Sequence, residues 1–499
     1  MITPIWYDWL IVFFVHEISE DLPQSDEMYK IVEKTGCGDN NAVLLIKDAI
    51  SPDNDTLTFN YSLSISKLEK IMDGEGYHFV EVSDFHFNNK EKNSWKKAFQ
   101  YVFANYFSER KMLITFSHGA AFGIDRNTDP IGRARPGTGR IVPVNNRRYI
   151  LNKGDLSHLS KRGWAPAAKD LYQENQNSNT VYIQKKDTDP ICKALEILWI
   201  SDLADALDKY LFDSDIDVML MVNCFMQLFD NGYLLSGKVK YMVAPEGEMW
   251  ASGYDYEKLL ITLRDQPSIA NKTLVRKIVK DYESMYTRQG NTDYLRQTTL
   301  FANDLKYYGI ALRGFETFVD RIKEDIQRSF ELFQQIREKE IRNVSGSPSY
   351  PLIDAGVWIS LVAEKFPSTQ NMKEFQEWFR NLHKKIVVAR FIGQDFLDAD
   401  KKDTSKYGYS GISLYFPTNF QQLSEQEVAW CAYFDRSLSS KFNKRSSWSK
   451  FLNIYFRLSQ SIAQPDPPPV IDHSPVFGGI LAPLAGISAA TPAEVMVNT

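Results

Sequence analysis

Cysteine is scarce in this chain. Cys37, Cys192, Cys224 and Cys431 are scattered through 499 positions, too few for a disulfide framework, and none stands in the C-x-x-C spacing of a structural zinc site. Long apolar runs are missing too. The one near the start, Leu10–Val15, follows Asp8 and has no basic segment before it. It is too short for a membrane span and wrongly flanked for a signal peptide. A buried strand is expected there, and no membrane partner; as written, the chain is expected in the cytoplasm. No G-x-G-x-x-G or Walker pattern follows a strand, which argues against a nucleotide-binding module. Neither sign of charge dominates: 58 Lys and Arg face 63 Asp and Glu, a net charge of −5, which argues against a nucleic-acid partner. No cofactor and no metal site is expected; Asp39, Asp53 and Asp55 lack EF-hand spacing, which leaves calcium open. No internal repeat is visible.

What remains is an ordinary globular composition, with 43% hydrophobic, 24% charged and 13% aromatic residues, enough for a large core. Through the first half, β-rich apolar runs alternate with helical patterns. Strands are expected at Leu10–Val15, Ala42–Ile46, Leu57–Tyr61, His78–Val82, Met112–Ser117, Asp217–Val222 and Val239–Val243. Several are apolar on consecutive residues, as in strands covered on both faces. Helices are expected after Ser94 and from Ser201, the latter read as an N-cap. Alternation of this kind predicts a mostly parallel α/β sandwich.

After about residue 257 the pattern changes. Leu305, Tyr308, Leu312, Phe315, Val319, Ile322 and Ile326 recur every three or four residues, the stripe of a long amphipathic helix. Further helices are expected over Leu352–Phe366 and Met372–Lys385, and late strands at Ile386–Ala389 and Ile412–Phe416. The expected organisation is a core over 1–256, a helical module over 257–463 that returns strands to the core or forms a small sheet, and a Pro-rich linker and tail over 464–499.

Two strand ends carry candidate chemistry. Met112–Gly119 (MLITFSHG) runs from a buried strand into His118-Gly119, and Asp217–Phe225 (DVMLMVNCF) ends at Cys224. In open parallel sheets active sites gather at the carboxyl ends of strands. A cysteine nucleophile needs a base to favour its thiolate, commonly His. A glycine after that His lets the backbone offer an N–H to an oxyanion, alongside the Cys N–H. Cys224 beside Leu220, Met221 and Phe225 equally fits a core position. Cys192 and Cys431 lie in helical patterns and read as core.

These segments resemble the clostripain family of caspase-like cysteine peptidases. The likeness rests on ITFSHG at 114–119, ISDLADAL at 200–207, VMLMVNCFM at 218–226, YMVAPEGEMWASGYDY at 241–256, YSGISLYFP at 409–417 and RSSWSKFL at 445–452. It spans roughly residues 9–455. The resemblance implies a caspase-like α/β fold, with a mostly parallel sheet, helices on both faces and a helical C-terminal module. It implies a peptide or protein substrate, His118 as general base, Cys224 as nucleophile, and Gly119 and Cys224 as oxyanion donors. Where the family has an Asp two residues before the Cys, associated with a basic P1 side chain, this chain has Val222. Glu246 and Glu248, in the loop that lines that pocket, are candidate replacement carboxylates, with solvated loop acids as the plainer reading.

The expected function is therefore a cysteine endopeptidase acting through a thioester acyl-enzyme. The alternative, which Val222 favours, is a caspase-like interaction protein that binds peptide without turnover. The Gly- and Pro-rich stretch Gly123–Gly163 carries nine Lys and Arg and is expected as a flexible loop, a surface loop or one cut for activation.

Overall fold

Alternation between two apolar faces builds the central sheet. In β1 (Trp6–Glu17), Trp9, Ile11, Phe13 and Val15 enter one hydrophobic core while Leu10, Val12 and Phe14 enter another, all of them buried. Side chains of a strand point alternately to opposite faces, so a consecutive apolar run is what a sheet buried on both sides requires. A computed structural model describes residues 5–17, 22–52, 59–71, 76–82, 85–86, 93–125, 140–144, 147–151, 197–211, 214–250, 252–326, 328–344, 351–366, 372–396, 409–418, 432 and 446–463.

The remaining strands of the sheet are β2 (Asn41–Pro52), β3 (Phe59–Lys70), β4 (Tyr77–Glu81), β5 (Phe107–Phe116), β6 (Ile216–Val222), β7 (Val239–Ala244), β8 (Thr299–Asp304) and β9 (Val387–Ile392). Their order across the nine-stranded sheet is β9-β8-β7-β6-β5-β1-β2-β3-β4. The centre, β2-β1-β5-β6-β7, is parallel. The flanking pairs β8–β9 and β3–β4 join it antiparallel.

Helices cover both faces. Helix α1 (Leu22–Thr35) packs on the core that holds Trp9. Helices α2 (Trp95–Asn105), α3 (Ile200–Tyr210) and α4 (Phe229–Leu235) pack on the opposite core. The chain then returns to the first core with α5 (Tyr256–Asp265), α6 (Asn271–Arg288) and the short α7 (Thr292–Arg296). Helices α8 (Tyr308–Ile326), α9 (Phe330–Gln335), α10 (Ala355–Lys365), α11 (Met372–Ile386) and α12 (Ser447–Ala463) thicken the second core. Each fully buried Leu, Ile, Val, Phe or Met side chain in these layers is worth roughly 1.5–3 kcal/mol.

Several local expectations shift. The helix expected from Ser201 starts at Ile200 with Trp199 at its N-cap, so Ser201 lies inside the first turn and makes no cap hydrogen bond. The stripe from Leu305 opens with a 3-10 turn over Leu305–Tyr307 before α8. The segment Leu352–Asp354 is a short strand paired with Ser413–Tyr415, so α10 begins only at Ala355. Because β8 and β9 extend the main sheet, that sheet and both cores run across residue 256. The expected basic loop falls largely outside the described residues; within it, Arg140–Val144 and Arg147–Leu151 pair as an antiparallel hairpin. Cys192, Cys431 and the 464–499 segment also lie outside them. Among the described residues no helix is long and apolar enough to cross a membrane.

Candidate active site

Strands β5 and β6 are parallel neighbours, with Met221 opposite Thr115 and Val222 opposite Phe116. Their carboxyl ends therefore emerge side by side, and the polar residues just beyond stitch them together. Thr115 Oγ1 donates to Asn223 Oδ1 at 2.6 Å, and Asn223 Nδ2 donates to the Ser117 carbonyl at 2.8 Å. Ser117 N donates to the Val222 carbonyl at 3.4 Å. Both side chains of the Thr115–Asn223 pair are buried, so the register of the two ends is held by bonds with no competing water.

The next residues on each strand are His118-Gly119 and Cys224. Gly119 is pressed against the Cys224 peptide so closely that a Cβ would overlap the Cys224 carbonyl oxygen, nitrogen and carbon. Only glycine permits this approach. The approach places the backbones of Gly119 and Cys224, the two expected oxyanion donors, against each other. His118 and Cys224 are both half-buried. After each, the chain turns sharply. Ala121 (φ +63°) and Phe225 (φ +65°) are the non-glycine residues with positive φ among those described, a costly conformation that persists where the surroundings impose it. Asn231 Nδ2, at the start of α4, bonds both turns at once, through the Ala121 carbonyl at 2.7 Å and the Met226 carbonyl at 3.1 Å. Nothing in the local sequence around Asn231 signals that role, because its partners come from two other segments.

The loop after β7 closes over the cysteine. Phe225 N donates to the Gly247 carbonyl at 2.8 Å and Gln227 N to the Pro245 carbonyl at 3.1 Å. Cys224 Sγ lies 3.3 Å from Met249 N and 3.7 Å from Met249 O. The sulfur can donate to that carbonyl as a thiol and accept from that N–H. Cys37 stands in contrast. It is 3% exposed, and burial pushes its thiol up to about 11, which keeps it protonated at neutral pH. His16, at the end of β1, is buried with Nδ1 2.7 Å from Asp48 Oδ2, a setting closed to substrate.

The substrate-binding candidates separate. Val222 is 4% exposed and lies under Gly253, where a Cβ would sit 3.1 Å from both of its methyl groups. Glu248 is exposed. Glu246 is not a loop acid open to solvent: it is fully buried and accepts a hydrogen bond from Ser413 Oγ at 3.2 Å. Burial, then the neighbouring charge of Asp354, holds its carboxyl well above the ordinary range. Asp354 in turn accepts from Val357 N at 2.8 Å and from Ser410 N and Oγ at 2.6 and 2.8 Å, and burial pushes it up to about 6. The Ser410 and Ser413 positions of YSGISLYFP thus fasten two buried acids. Gly411 (φ +66°) gives its carbonyl to Asn303 Nδ2 at 2.9 Å, and the Tyr415 ring meets Phe122, behind the His118-Gly119 turn, at 5.5 Å. Trp448, of the terminal helix, donates to the Tyr415 carbonyl at 3.1 Å.

Raised carboxyl pKa values carry a sign. The folded state holds these protons more tightly than the unfolded chain, so the stability they lend is complete at pH below the ordinary carboxylate range. It is lost as pH rises through about 6 for Asp354 and through the raised range of Glu246. Glu246→Gln keeps the shape without the titration. The melting temperature of Glu246→Gln minus that of the parent is expected to become more positive from pH 5 to pH 8, by several degrees in a thermal scan. Curves that fall in parallel would show that the pair does not couple to folding.

Residues 187–455 match the sequence model of the clostripain family, more than half of the chain. The chain belongs to the clostripain family. Clostripain-family proteins are cysteine peptidases, and the match covers Cys224, the Glu246 loop, YSGISLYFP and Trp448; His118 lies upstream of it. Among solved structures, the chain is similar to an inactive zymogen C11 protease from Parabacteroides distasonis, at 14% identity and a TM-score of 0.52 over 90% of this chain and 99% of that one. This likeness shows a shared fold. A secreted C11 cysteine protease from Bacteroides thetaiotaomicron, solved with an irreversible peptide inhibitor, aligns at 14% identity and a TM-score of 0.49 over 86% of this chain and 98% of that one. A comparison with curated proteins gives no match. In this clostripain-family chain no group of three or more His, Cys, Asp or Glu among the described residues is arranged to hold a metal ion.

Proposed function

We propose that this clostripain-family cysteine peptidase hydrolyses peptide bonds through a thioester on Cys224, with His118 as its base. The observation that carries the reading is the seating of Gly119 on the Cys224 peptide at two adjacent strand ends. The steps follow from that geometry. His118 takes the thiol proton, and the thiolate attacks the carbonyl carbon of the scissile bond. Negative charge developing on the carbonyl oxygen is received by the backbone N–H groups of Gly119 and Cys224. The His118 imidazolium gives its proton to the departing amine. Water, deprotonated by His118, then releases the acid and restores the thiol.

A thioester intermediate is testable by acid quench. Mixing the protein with an activated peptide ester and quenching within milliseconds is expected to leave one acyl mass on the peptide that contains Cys224, removable by neutral hydroxylamine. An acyl group on another residue, or ester turnover with no covalent species in Cys224 at any time, would exclude this mechanism. Tight peptide binding with no acylation would instead support the non-catalytic reading.

A further inference from the structure

The loop that brackets Cys224 also holds a large apolar surface in the open. Trp250 follows Met249, whose backbone faces the Cys224 sulfur on both its N–H and C=O sides, and it is 45% exposed. It is not loose. Its ring centroid is 4.2 Å from that of Tyr294 on α7; Tyr294 is backed by Tyr286 at 5.7 Å, and Tyr286 by Tyr282 at 4.8 Å. Tyr294 is pushed up first by burial and then by charges that include Cys224 and Glu248, and Cys224 also acts on Tyr282. Gly253 N donates to the Trp250 carbonyl at 2.9 Å, and Val222 lies buried beneath Gly253, with Tyr256 Oη against Gly253.

A solvent-facing tryptophan set against a row of tilted tyrosine rings beside a nucleophile has little conformational freedom left to lose on binding. Such anchored aromatics are where binding energy concentrates. The chemistry around it is wrong for a cation. Val222, beneath Gly253, carries no charge, and Glu248 is exposed, where a carboxylate is screened by water and cannot replace a buried partner.

We propose that Trp250, backed by Tyr294, is the specificity wall for the substrate residue on the acyl side of the scissile bond, and that this residue is large and apolar, aromatic foremost. The inference rests on Cys224 being the nucleophile, and its test separates the two. Four peptidyl electrophiles that differ only at that residue, carrying Phe, Leu, Ala or Arg, are compared by the second-order rate of Cys224 modification, read by mass. The Phe and Leu probes are expected to react about tenfold or more faster than the Ala and Arg probes. Trp250→Ala is expected to bring the Phe probe down to the Ala rate, and Trp250→Phe to keep most of the preference. An Arg probe that reacts fastest, or a Phe-to-Ala ratio unchanged in Trp250→Ala while Cys224 is still modified, overturns the inference and leaves the nucleophile standing. Modification of Cys224 by none of the four overturns both.

Discussion

Gly119→Ala is expected to cost nearly all activity although it adds one methyl group. The methyl would overlap three backbone atoms of Cys224, and neither strand end can yield: both are tied by the Thr115–Asn223–Ser117 bonds and by Asn231. Overpacking of this kind costs about 1–3 kcal/mol of stability. The larger effect is on the chemistry, because a displacement of about 1 Å in a reacting group can cost roughly 100-fold in rate. Gly309, at the start of α8, is the control: a Cβ there meets nothing within 4 Å, so Gly309→Ala should leave peptidase activity and melting temperature near the parent values. Equal activity in Gly119→Ala and the parent would mean that the two turns are not held as close as described.

The second large effect is expected from the proposed pair itself. Cys224→Ala removes the sulfur on which the proposed acyl group forms, and hydrolysis should fall to background. His118→Ala removes proton transfer alone, a contribution of about 100- to 10,000-fold, so a trace of turnover should survive and rise with pH as free thiolate accumulates. Both side chains are half-buried at the sheet edge, so thermal scans should show both variants folded. Background rates together with lost folding would report on stability instead.

Much of this was legible in the sequence because the parallel centre imposes a strong signal. Leu10–Val15, Met112–Ile114 and Val218–Val222 are apolar on consecutive residues since both faces are covered, and the carboxyl ends of two such strands had to be near one another if the strands were neighbours. The antiparallel flanks were harder. β8, Thr299–Asp304 (TLFAND), is short and half polar because Asn303 bonds Gln227, Tyr308 and Gly411, a network that no local pattern shows. Glu246 looked like a loop acid for the same reason: its partner Ser413 lies 167 residues away, and only the fold buries the two together. Asn231 and Trp250 went unremarked because their roles are defined by where other segments arrive.

Where the chemistry happens is decided most directly by mapping a covalent adduct. The folded protein is incubated with a peptidyl electrophile at neutral pH, digested, and each of Cys37, Cys192, Cys224 and Cys431 is read by mass. The account predicts one adduct, on Cys224, formed rapidly by the parent and at least about 100-fold more slowly by His118→Ala. An adduct on another cysteine with Cys224 unmodified, or equal rates in the parent and His118→Ala, would contradict it.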